Sequence, residues 1–343
     1  MSHVTHKEQY NKHMKLKYLI KNTTFLLLIL TIGFNACKSK ENKEEILPNE
    51  DQMKITDSLF FKLSLAQWSM HRMIRDKTVS PFDFAKKAKA WGFEGVEYVS
   101  TLYADEIAEF ENKTEGMKAL VVRLKKESEL VGVENLLIMI DEEGDLSNPE
   151  EAIRNEAVDK HKKWVDAASA LGCHSIRVNL PGADNPEVWI ASAIDGLTKL
   201  LDYASQKNIN IIVENHGGLS SNTPYLMKVI NAVGKSNCGT LPDFGNFCIT
   251  REEGSDDCLE EYQDIYEGVK LMMPNAKAVS AKSYDFDDKG DELVIDYNKM
   301  LRIVKDAGYQ GYIGVEYEGE GLSEEEGIIA TRNLLIKTAE KIN

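Results

Sequence analysis

Three acidic residues stand where short apolar runs of the sequence end. Glu214 follows Ile-Ile-Val, Asp243 follows Gly-Thr-Leu-Pro, and Glu316 follows Ile-Gly-Val. An acid beside an apolar strand is costly to bury unless it is paired or binds a metal. Each acid taken singly would suit an ion pair with a nearby lysine or arginine. Three converging acids would repel one another, and a divalent cation holds such carboxylates together. The pattern therefore predicts a polar site.

The elements that must position these acids alternate in one rhythm from residue 60 onward. Short β-branched runs predict strands at 62–68, 95–100, 133–140, 175–180, 210–215, 239–243, 276–282 and 312–316. Amphipathic segments predict helices at 82–91, about 105–131, 152–171, 186–207, 223–233, 258–272, 297–306 and 324–339. Glycine directly after such a segment, as at Gly92, Gly172 and Gly308, is typical of a helix end. Eight strand–helix units predict an α/β fold, a (β/α)8 TIM barrel in a single domain.

A doubly wound open sheet is the alternative fold for this rhythm. It is disfavoured because no glycine-rich nucleotide-binding motif follows the first strand. In a barrel, the functional residues lie at the carboxyl ends of the strands. Glu214, Asp243 and Glu316 end predicted strands five, six and eight, so we expect their side chains to meet at one mouth of the barrel.

The order Glu, Asp, Glu on these strands resembles the xylose isomerase-like TIM barrels, the sugar phosphate isomerase/epimerase group. The similarity runs from about residue 63 to 335, with Glu-Asn-His-Gly at 214–217, Asp-x-Gly-Asn at 243–246 and Gly-x-x-Gly-Val-Glu-Tyr at 311–317. The resemblance implies that Glu214, Asp243 and Glu316 bind a divalent metal, with Mn²⁺ expected first and Mg²⁺, Co²⁺ or Zn²⁺ as alternatives. It also implies that Glu214 and Glu316 move the substrate proton.

The chain departs from this family on predicted strand seven, where the family often has His-x-Lys-Asp. Ser280 occupies the histidine place and is a poor ligand, whereas Lys282 matches the family lysine. Asn246 stands where the family often has a second histidine. His216 lies two residues after Glu214 and is a candidate nitrogen ligand. A hydrogen-bonded site residue is the alternative interpretation of His216.

Further residues are candidates for contact with a substrate. Lys282 or His216 would polarise a carbonyl or a hydroxyl group. Asn179, Asn246, Glu97 and Gln67 are predicted to bind substrate, and Trp68 and Tyr284 offer aromatic surfaces for a sugar ring. Packing in the core or in loops is an equally good interpretation of most of them. Glu97 has a second alternative, a salt bridge with Lys282 or Arg177.

Together these residues predict a divalent-metal-dependent sugar isomerase or epimerase that removes a proton next to a carbonyl. Two alternatives remain open. One is a metal-assisted lyase or hydrolase of keto-glycosides, which uses the same proton removal to expel a leaving group. The other is a non-catalytic sugar-binding protein on the same scaffold.

The net charge of the chain indicates which classes of partner it can bind. The 343 residues carry 41 basic and 56 acidic side chains, a net charge of −15. A phosphate backbone would be repelled, which disfavours nucleic acid and a relation to AP endonucleases. We expect a small-molecule carbohydrate as the partner, with a homo-oligomer as a further expectation.

Residues 1–36 have the pattern of an export signal. Lys15, Lys17 and Lys21 precede the apolar run 25–34, which is short for a membrane span. Ala36-Cys37 resembles a bacterial lipobox, which implies acylation of Cys37 and anchoring to a bacterial outer membrane. Residues 37–57 are then a flexible tether and residues 58–343 the barrel. An uncleaved anchor or a plain signal peptide is the alternative, and Met14 is a second candidate start.

Four further cysteines, Cys173, Cys238, Cys248 and Cys258, follow the predicted tether. Export would permit disulfides. Four cysteines in a chain of this length do not make a disulfide scaffold, and no Cys-x-x-Cys motif occurs. We therefore expect buried free thiols.

Overall fold

The computed structural model describes residues 59–342 apart from residues 253 and 256. The predicted signal at 1–36, Cys37 and the predicted tether at 37–57 lie outside the described residues. Within the described part of the chain, no helix combines the length and apolar character needed to cross a membrane.

Ten strands occur in the described residues. In chain order they are β1 Lys62–Ala66, β2 Gly95–Val99, β3 Glu134–Met139, β4 Ser175–Val178, β5 Asn210–Glu214, β6 Cys238–Leu241, β7 Cys248–Arg251, β8 Cys258–Glu261, β9 Val279–Ser283 and β10 Tyr312–Tyr317. Eight of them form one parallel sheet in the order β6-β5-β4-β3-β2-β1-β10-β9. Strands β7 and β8 form a separate antiparallel hairpin.

The two outer strands of the large sheet meet and close it into a barrel. Parallel bridges join Thr240 to Ala276 and Asp243 to Ser280. The backbone N–H of Ser280 donates to the carbonyl of Pro242 at 2.9 Å. The eight predicted strands and the single-domain (β/α)8 barrel are therefore confirmed, with small differences at the strand ends.

Ten α-helices pack around the described barrel. They are α1 His71–Arg75, α2 Phe84–Ala90, α3 Ala104–Ala108, α4 Lys113–Val131, α5 Glu151–Leu171, α6 Pro186–Ser205, α7 Thr223–Val233, α8 Ile265–Met272, α9 Tyr297–Asp306 and α10 Glu324–Ile342. The predicted helix at 105–131 is two helices, because Asn112 starts α4 by accepting a hydrogen bond from the Thr114 N–H at 2.9 Å.

The predicted helix at 258–272 is wrong over its first half. Residues Cys258–Glu261 form β8, and α8 begins only at Ile265. The carboxylate of Asp264 accepts the N–H groups of Tyr266 and Glu267 at 3.1 Å, which caps the helix at that point.

The expectation of free thiols is correct for two cysteines and wrong for the other two. Cys173 and Cys238 are buried free thiols. Cys248 and Cys258 form a disulfide that closes the β7–β8 hairpin. Their Cα atoms lie 5.7 Å apart because the hairpin turn brings β7 and β8 side by side.

Strand register places the polar side chains of the barrel interior next to one another. Gly314 pairs with Ser280, and Glu316 pairs with Lys282, across β10 and β9. Side chains two residues apart on a strand share a face. Ser280 and Lys282 therefore lie on one face of β9, and all four residues are buried.

Candidate functional site

Glu214, Asp243 and Glu316 converge at the carboxyl ends of their strands, as the barrel predicts. Each offers one carboxylate oxygen, and these three oxygens lie within 4.8 Å of one another. All three residues are buried, with at most 4% of their surface exposed. We call these residues the acid cluster.

Asp243 is held rigidly by the loop that follows β6. Its Oδ1 accepts the backbone N–H groups of Gly245 at 2.9 Å and Asn246 at 2.7 Å. Asn215 ties this loop to the end of β5, because its Oδ1 accepts the Asp243 N–H at 2.8 Å. Position 245 needs glycine, since a Cβ there would lie 2.7 Å from Cγ of Lys282. Burial raises the pKa of Asp243 to about 7, although Lys282 opposes the shift.

Glu214 is oriented from both sides. Its Oε1 accepts a hydrogen bond from Nδ2 of Asn246 at 2.9 Å. Its Oε2 lies 2.9 Å from Nε of Arg177 in a buried ion pair. Burial raises the pKa of Glu214 to about 7, against the lowering effect of Arg177.

Glu316 is paired with two residues of β9. Nζ of Lys282 lies 3.1 Å from Oε1 of Glu316 and 3.0 Å from Glu318. The hydroxyl of Ser280 contacts Oε2 of Glu316 at 2.9 Å and Oδ2 of Asp243 at 2.6 Å. Burial alone would raise the pKa of Glu316, but the Lys282 charge and the Ser280 hydrogen bond lower it. Ser280 thus bridges two acids at the place where the family resemblance implies a histidine ligand.

A cavity of about 700 Å³ opens at this end of the barrel, and we call it the mouth cavity. Its lining includes Trp68, Arg177, His216, Asn246, Tyr284 and Glu316. The two aromatic side chains are therefore placed where a sugar ring would enter. His216 is exposed in this cavity and is not a member of the acid cluster, so its role as a metal ligand stays a prediction.

Arg177 and Asp141 are site residues that the sequence analysis did not select. Nη1 of Arg177 donates to Oδ1 of Asp141 at 2.7 Å and to Oδ1 of Asn179 at 3.0 Å. The Asn179 amide donates to the same Asp141 oxygen at 2.8 Å. Asn179 therefore positions Arg177 and Asp141 instead of lining the mouth cavity. An arginine inside the apolar run Ser-Ile-Arg-Val was the available signal, because such a charge needs a buried partner.

Gln67 does not face the mouth cavity, contrary to its predicted contact with substrate. It is fully buried, and its Nε2 donates to the hydroxyl of Tyr103 at 2.7 Å. Its Oε1 accepts the backbone N–H of Val99 at 3.0 Å. The amide is used to join the loop after β1 to β2, which leaves it unavailable to a substrate.

Glu97 likewise lies in the barrel interior and not in the lining of the mouth cavity. Its Oε1 accepts a hydrogen bond from Ser64 at 2.6 Å. Its Oε2 has no hydrogen-bond partner among the described residues. The carboxylate packs against Gly314, where a Cβ would lie 2.5 Å from it. The contact of Glu97 with substrate stays a prediction. Burial raises the pKa of Glu97 to about 8.

We expect a Glu97→Gln variant to be more stable than the wild type at pH 8 and nearly equal to it at pH 5. The native carboxyl keeps its proton up to about pH 8, whereas the unfolded chain releases it near 4.5. Wild-type stability is therefore lost as the pH rises between these values, by up to about 1.4 kcal/mol per pH unit. Glutamine does not titrate and avoids this loss. Urea unfolding in the presence of a chelator measures the difference.

Glu134→Gln is the control for this titration, because Glu134 is an exposed glutamate on the neighbouring strand β3. Its stability profile should follow that of the wild type. Parallel profiles for Glu97→Gln and the wild type would show that Glu97 is ionised in the native protein.

The acid cluster fits a divalent metal ion. Carboxylate oxygens are ligands that hard divalent cations prefer, and three of them lie close together here. The Ser280 hydroxyl adds a neutral oxygen between two of the acids. Glu214, Asp243 and Glu316 would hold the ion. Lys282 and Arg177 supply positive charge to the same carboxylates from the protein side.

Comparisons with known proteins agree with the barrel fold. A family model described as xylose isomerase-like TIM barrel matches residues 85–338. A search of curated proteins found no match. Among solved structures, the IolI protein with a bound zinc atom has 16% identity and a TM-score of 0.60, covering 82% of this chain and 99% of that one.

Two sugar epimerases are also similar in structure. An L-ribulose 3-epimerase has 13% identity and a TM-score of 0.61, covering 82% of this chain and 96% of its own. The 3-keto-D-glucoside 4-epimerase YcjR from E. coli has 12% identity and a TM-score of 0.58, covering 75% and 94%. At these identities the similarity shows the fold alone.

Proposed function

The chain belongs to the xylose isomerase-like TIM barrel family, and from this premise we propose that it is a divalent-metal-dependent sugar isomerase or epimerase. The observation that carries the proposal is the acid cluster, with three carboxylate oxygens within 4.8 Å. Glu316 of that cluster lines the mouth cavity, where a small carbohydrate has access to it. A neutral sugar binder has little use for buried converging acids, because burying them costs free energy.

The reaction transfers a proton next to a carbonyl group. Glu214 takes the proton from the substrate carbon, while Arg177 and Asn246 hold its two oxygens in place. Glu316 returns a proton, and Lys282 beside it polarises the carbonyl or a neighbouring hydroxyl. A divalent ion held by Glu214, Asp243 and Glu316 would supply positive charge that stabilises the developing enolate. The all-oxygen ligand set favours Mn²⁺ or Mg²⁺ over Zn²⁺.

We also propose that the protein is exported and lipid-anchored through Cys37 to a bacterial outer membrane. The Cys248–Cys258 disulfide supports this, because disulfides persist in oxidising compartments. Sugar phosphates are scarce outside the cytoplasm. Free sugars, keto-sugars or glycosides are therefore the expected substrates.

The metal-loaded protein is expected to exchange solvent deuterium into the carbon next to the carbonyl of a ketose. Proton NMR of D-fructose, D-tagatose and D-allulose in D₂O measures this exchange, and a chelator should abolish it. Elemental mass spectrometry should find about one divalent ion per chain. The Glu214→Ala/Glu316→Ala double variant should hold none.

A folded wild type that holds no metal even after incubation with Mn²⁺ would contradict the metal mechanism. Sugar binding without exchange would then favour a non-catalytic sugar-binding protein. Release of the leaving group from a keto-glycoside in the same NMR assay would instead favour the lyase or hydrolase. The lyase or hydrolase is supported by a largely apolar cavity that lies between α3, α4 and α5 and shares Thr101, Asp141 and Glu142 with the mouth cavity.

A further inference from the structure

A second large cavity lies between α3, α4 and α5, and we call it the helix groove. Its volume is about 810 Å³, within the usual range for sites of small molecules. Its walls are largely apolar and include Ile107, Met117, Val121, Trp164 and Ala167. The acid cluster and its partners do not line it. The helix groove is therefore a second place where an apolar group can be bound.

The helix groove adjoins the mouth cavity. Thr101, Asp141 and Glu142 line both spaces. Asp141 is also the residue that pairs with Arg177, which in turn holds Glu214. Thr101, Asp141 and Glu142 therefore form the boundary that a molecule occupying both spaces would have to pass.

The backbone at this junction is held in an uncommon conformation. Glu142 has a φ of 63°, which non-glycine residues rarely adopt. Residues held in this region are strained and occur preferentially at ligand sites. Thr101 and Asp141 stand beside it at the same boundary. The strained loop at Glu142 thus forms the boundary between the polar mouth cavity and the apolar helix groove.

The charges around the helix groove favour a neutral occupant. Nζ of Lys118 pairs with Glu115 at 2.9 Å, and Nζ of Lys163 pairs with Glu143 at 2.6 Å. The indole N–H of Trp164 donates to the same Glu143 oxygen at 2.7 Å. These polar groups are satisfied within the protein. Apolar surface is what remains for a ligand.

We propose that the helix groove is an aglycone subsite, so that the substrate is a keto-glycoside, which keeps a carbonyl on its sugar ring and carries an apolar, ring-sized aglycone. The sugar ring lies in the mouth cavity beside the acid cluster, and the aglycone passes Glu142 into the helix groove. The position of the sugar rests on the proposed function. The boundary that the two cavities share at Thr101, Asp141 and Glu142 supports the extension.

The test compares 4-nitrophenyl glycosides with the matching methyl glycosides of glucose, galactose and xylose, by calorimetry on the full-length protein. At least one 4-nitrophenyl glycoside should bind about tenfold tighter than its methyl partner, because its ring is buried. Ala104→Trp fills the helix groove from an exposed position on its rim. This variant should lose the tenfold difference.

Ala307→Trp is the matched control, because Ala307 is exposed and lines neither cavity. It should keep the wild-type preference. The proposal is overturned if no pair of glycosides differs in the wild type, or if Ala104→Trp keeps the difference. It is also overturned if free 4-nitrophenol binds as tightly as the glycoside, which would make the helix groove independent of the sugar.

Deuterium exchange into free ketoses separates this proposal from the proposed function. Exchange should be equal in the wild type and in Ala104→Trp, because position 104 does not belong to the acid cluster. If no exchange occurs but the preference for 4-nitrophenyl glycosides is intact, the isomerase or epimerase function is contradicted. The aglycone subsite would still be supported by the binding preference. Loss of self-association in Ala104→Trp, without any preference among glycosides, would identify the helix groove as a contact between two copies of the chain.

Discussion

Glu214→Gln and Glu316→Gln are each expected to lower kcat for sugar conversion by about a thousandfold or more. A positioned acid or base contributes about 10²–10⁴ to a rate, and in the proposed mechanism each residue would also be a metal ligand. Glutamine keeps the shape and one oxygen but neither accepts nor returns a proton. Turnover of the best ketose from the deuterium screen measures the effect.

The two variants are expected to differ in what they still do. If Glu214 removes the proton and Glu316 returns it, Glu316→Gln should keep some deuterium exchange without forming the product epimer. Glu214→Gln should lose both exchange and product. Metal content is measured on the same samples, since a lost ion would lower every activity together.

Glu320→Gln is the matched control for these variants. Glu320 is an exposed glutamate shortly after β10 and lines neither cavity. Its activity should stay close to that of the wild type. Full activity of Glu214→Gln or Glu316→Gln, with about one bound ion per chain, would remove the affected residue from the mechanism.

Lys282→Met is expected to lower the free energy of unfolding by about 3–5 kcal/mol at pH 7.5 in a chelator. Burial would lower the pKa of Lys282, but Glu316, Asp243 and Glu318 raise it well above its usual value, so the lysine is charged. Methionine fills a similar volume and leaves these carboxylates without their internal cation. Urea unfolding followed by circular dichroism measures the loss.

Two conditions should reduce this loss. At pH 5.5 the raised pKa values of Glu214 and Asp243, both about 7, keep these groups protonated and reduce the repulsion. Millimolar Mn²⁺ should also restore stability, because an ion that binds only the native state stabilises it. An equal loss at both pH values without rescue by Mn²⁺ would show that packing, and not charge, explains the effect.

Lys337→Met controls for removal of a lysine charge. Lys337 pairs with Asp291 at 2.7 Å in a partly exposed ion pair. Such surface pairs contribute about 0–1 kcal/mol. The variant should therefore lose little stability at either pH and show no response to Mn²⁺.

The acid cluster is predictable from sequence because parallel strands of a barrel end at one common edge. Three strand-terminal acids on strands five, six and eight must then approach each other, whatever the loops do. The same reasoning fails for Gln67, which also ends an apolar run. Its amide is used by Tyr103 and Val99, and these partners are remote in the sequence.

The partners of the acids depend on side-chain direction across neighbouring strands. Arg177 pairs with Glu214, whereas a pairing with Glu97 was one alternative from sequence. Register between β4 and β5 decides which acid the guanidinium meets. Register results from closure of the whole barrel and has no local signature in either strand.

The alternation of strands and helices, the barrel and the strand-end acids could be predicted from the sequence, because hydrophobic periodicity and the shared edge of parallel strands specify them. Only the tertiary structure decided that Cys248 and Cys258 pair, since an exposed hairpin with no apolar alternation brings them together. It alone also decided that the helix groove opens beside Glu142. The two cysteines are only 10 residues apart, but their exposed hairpin has no hydrophobic pattern that would indicate the pairing. The helix groove arises where three helices pack against one another, and such packing leaves no spacing to recognise in the chain.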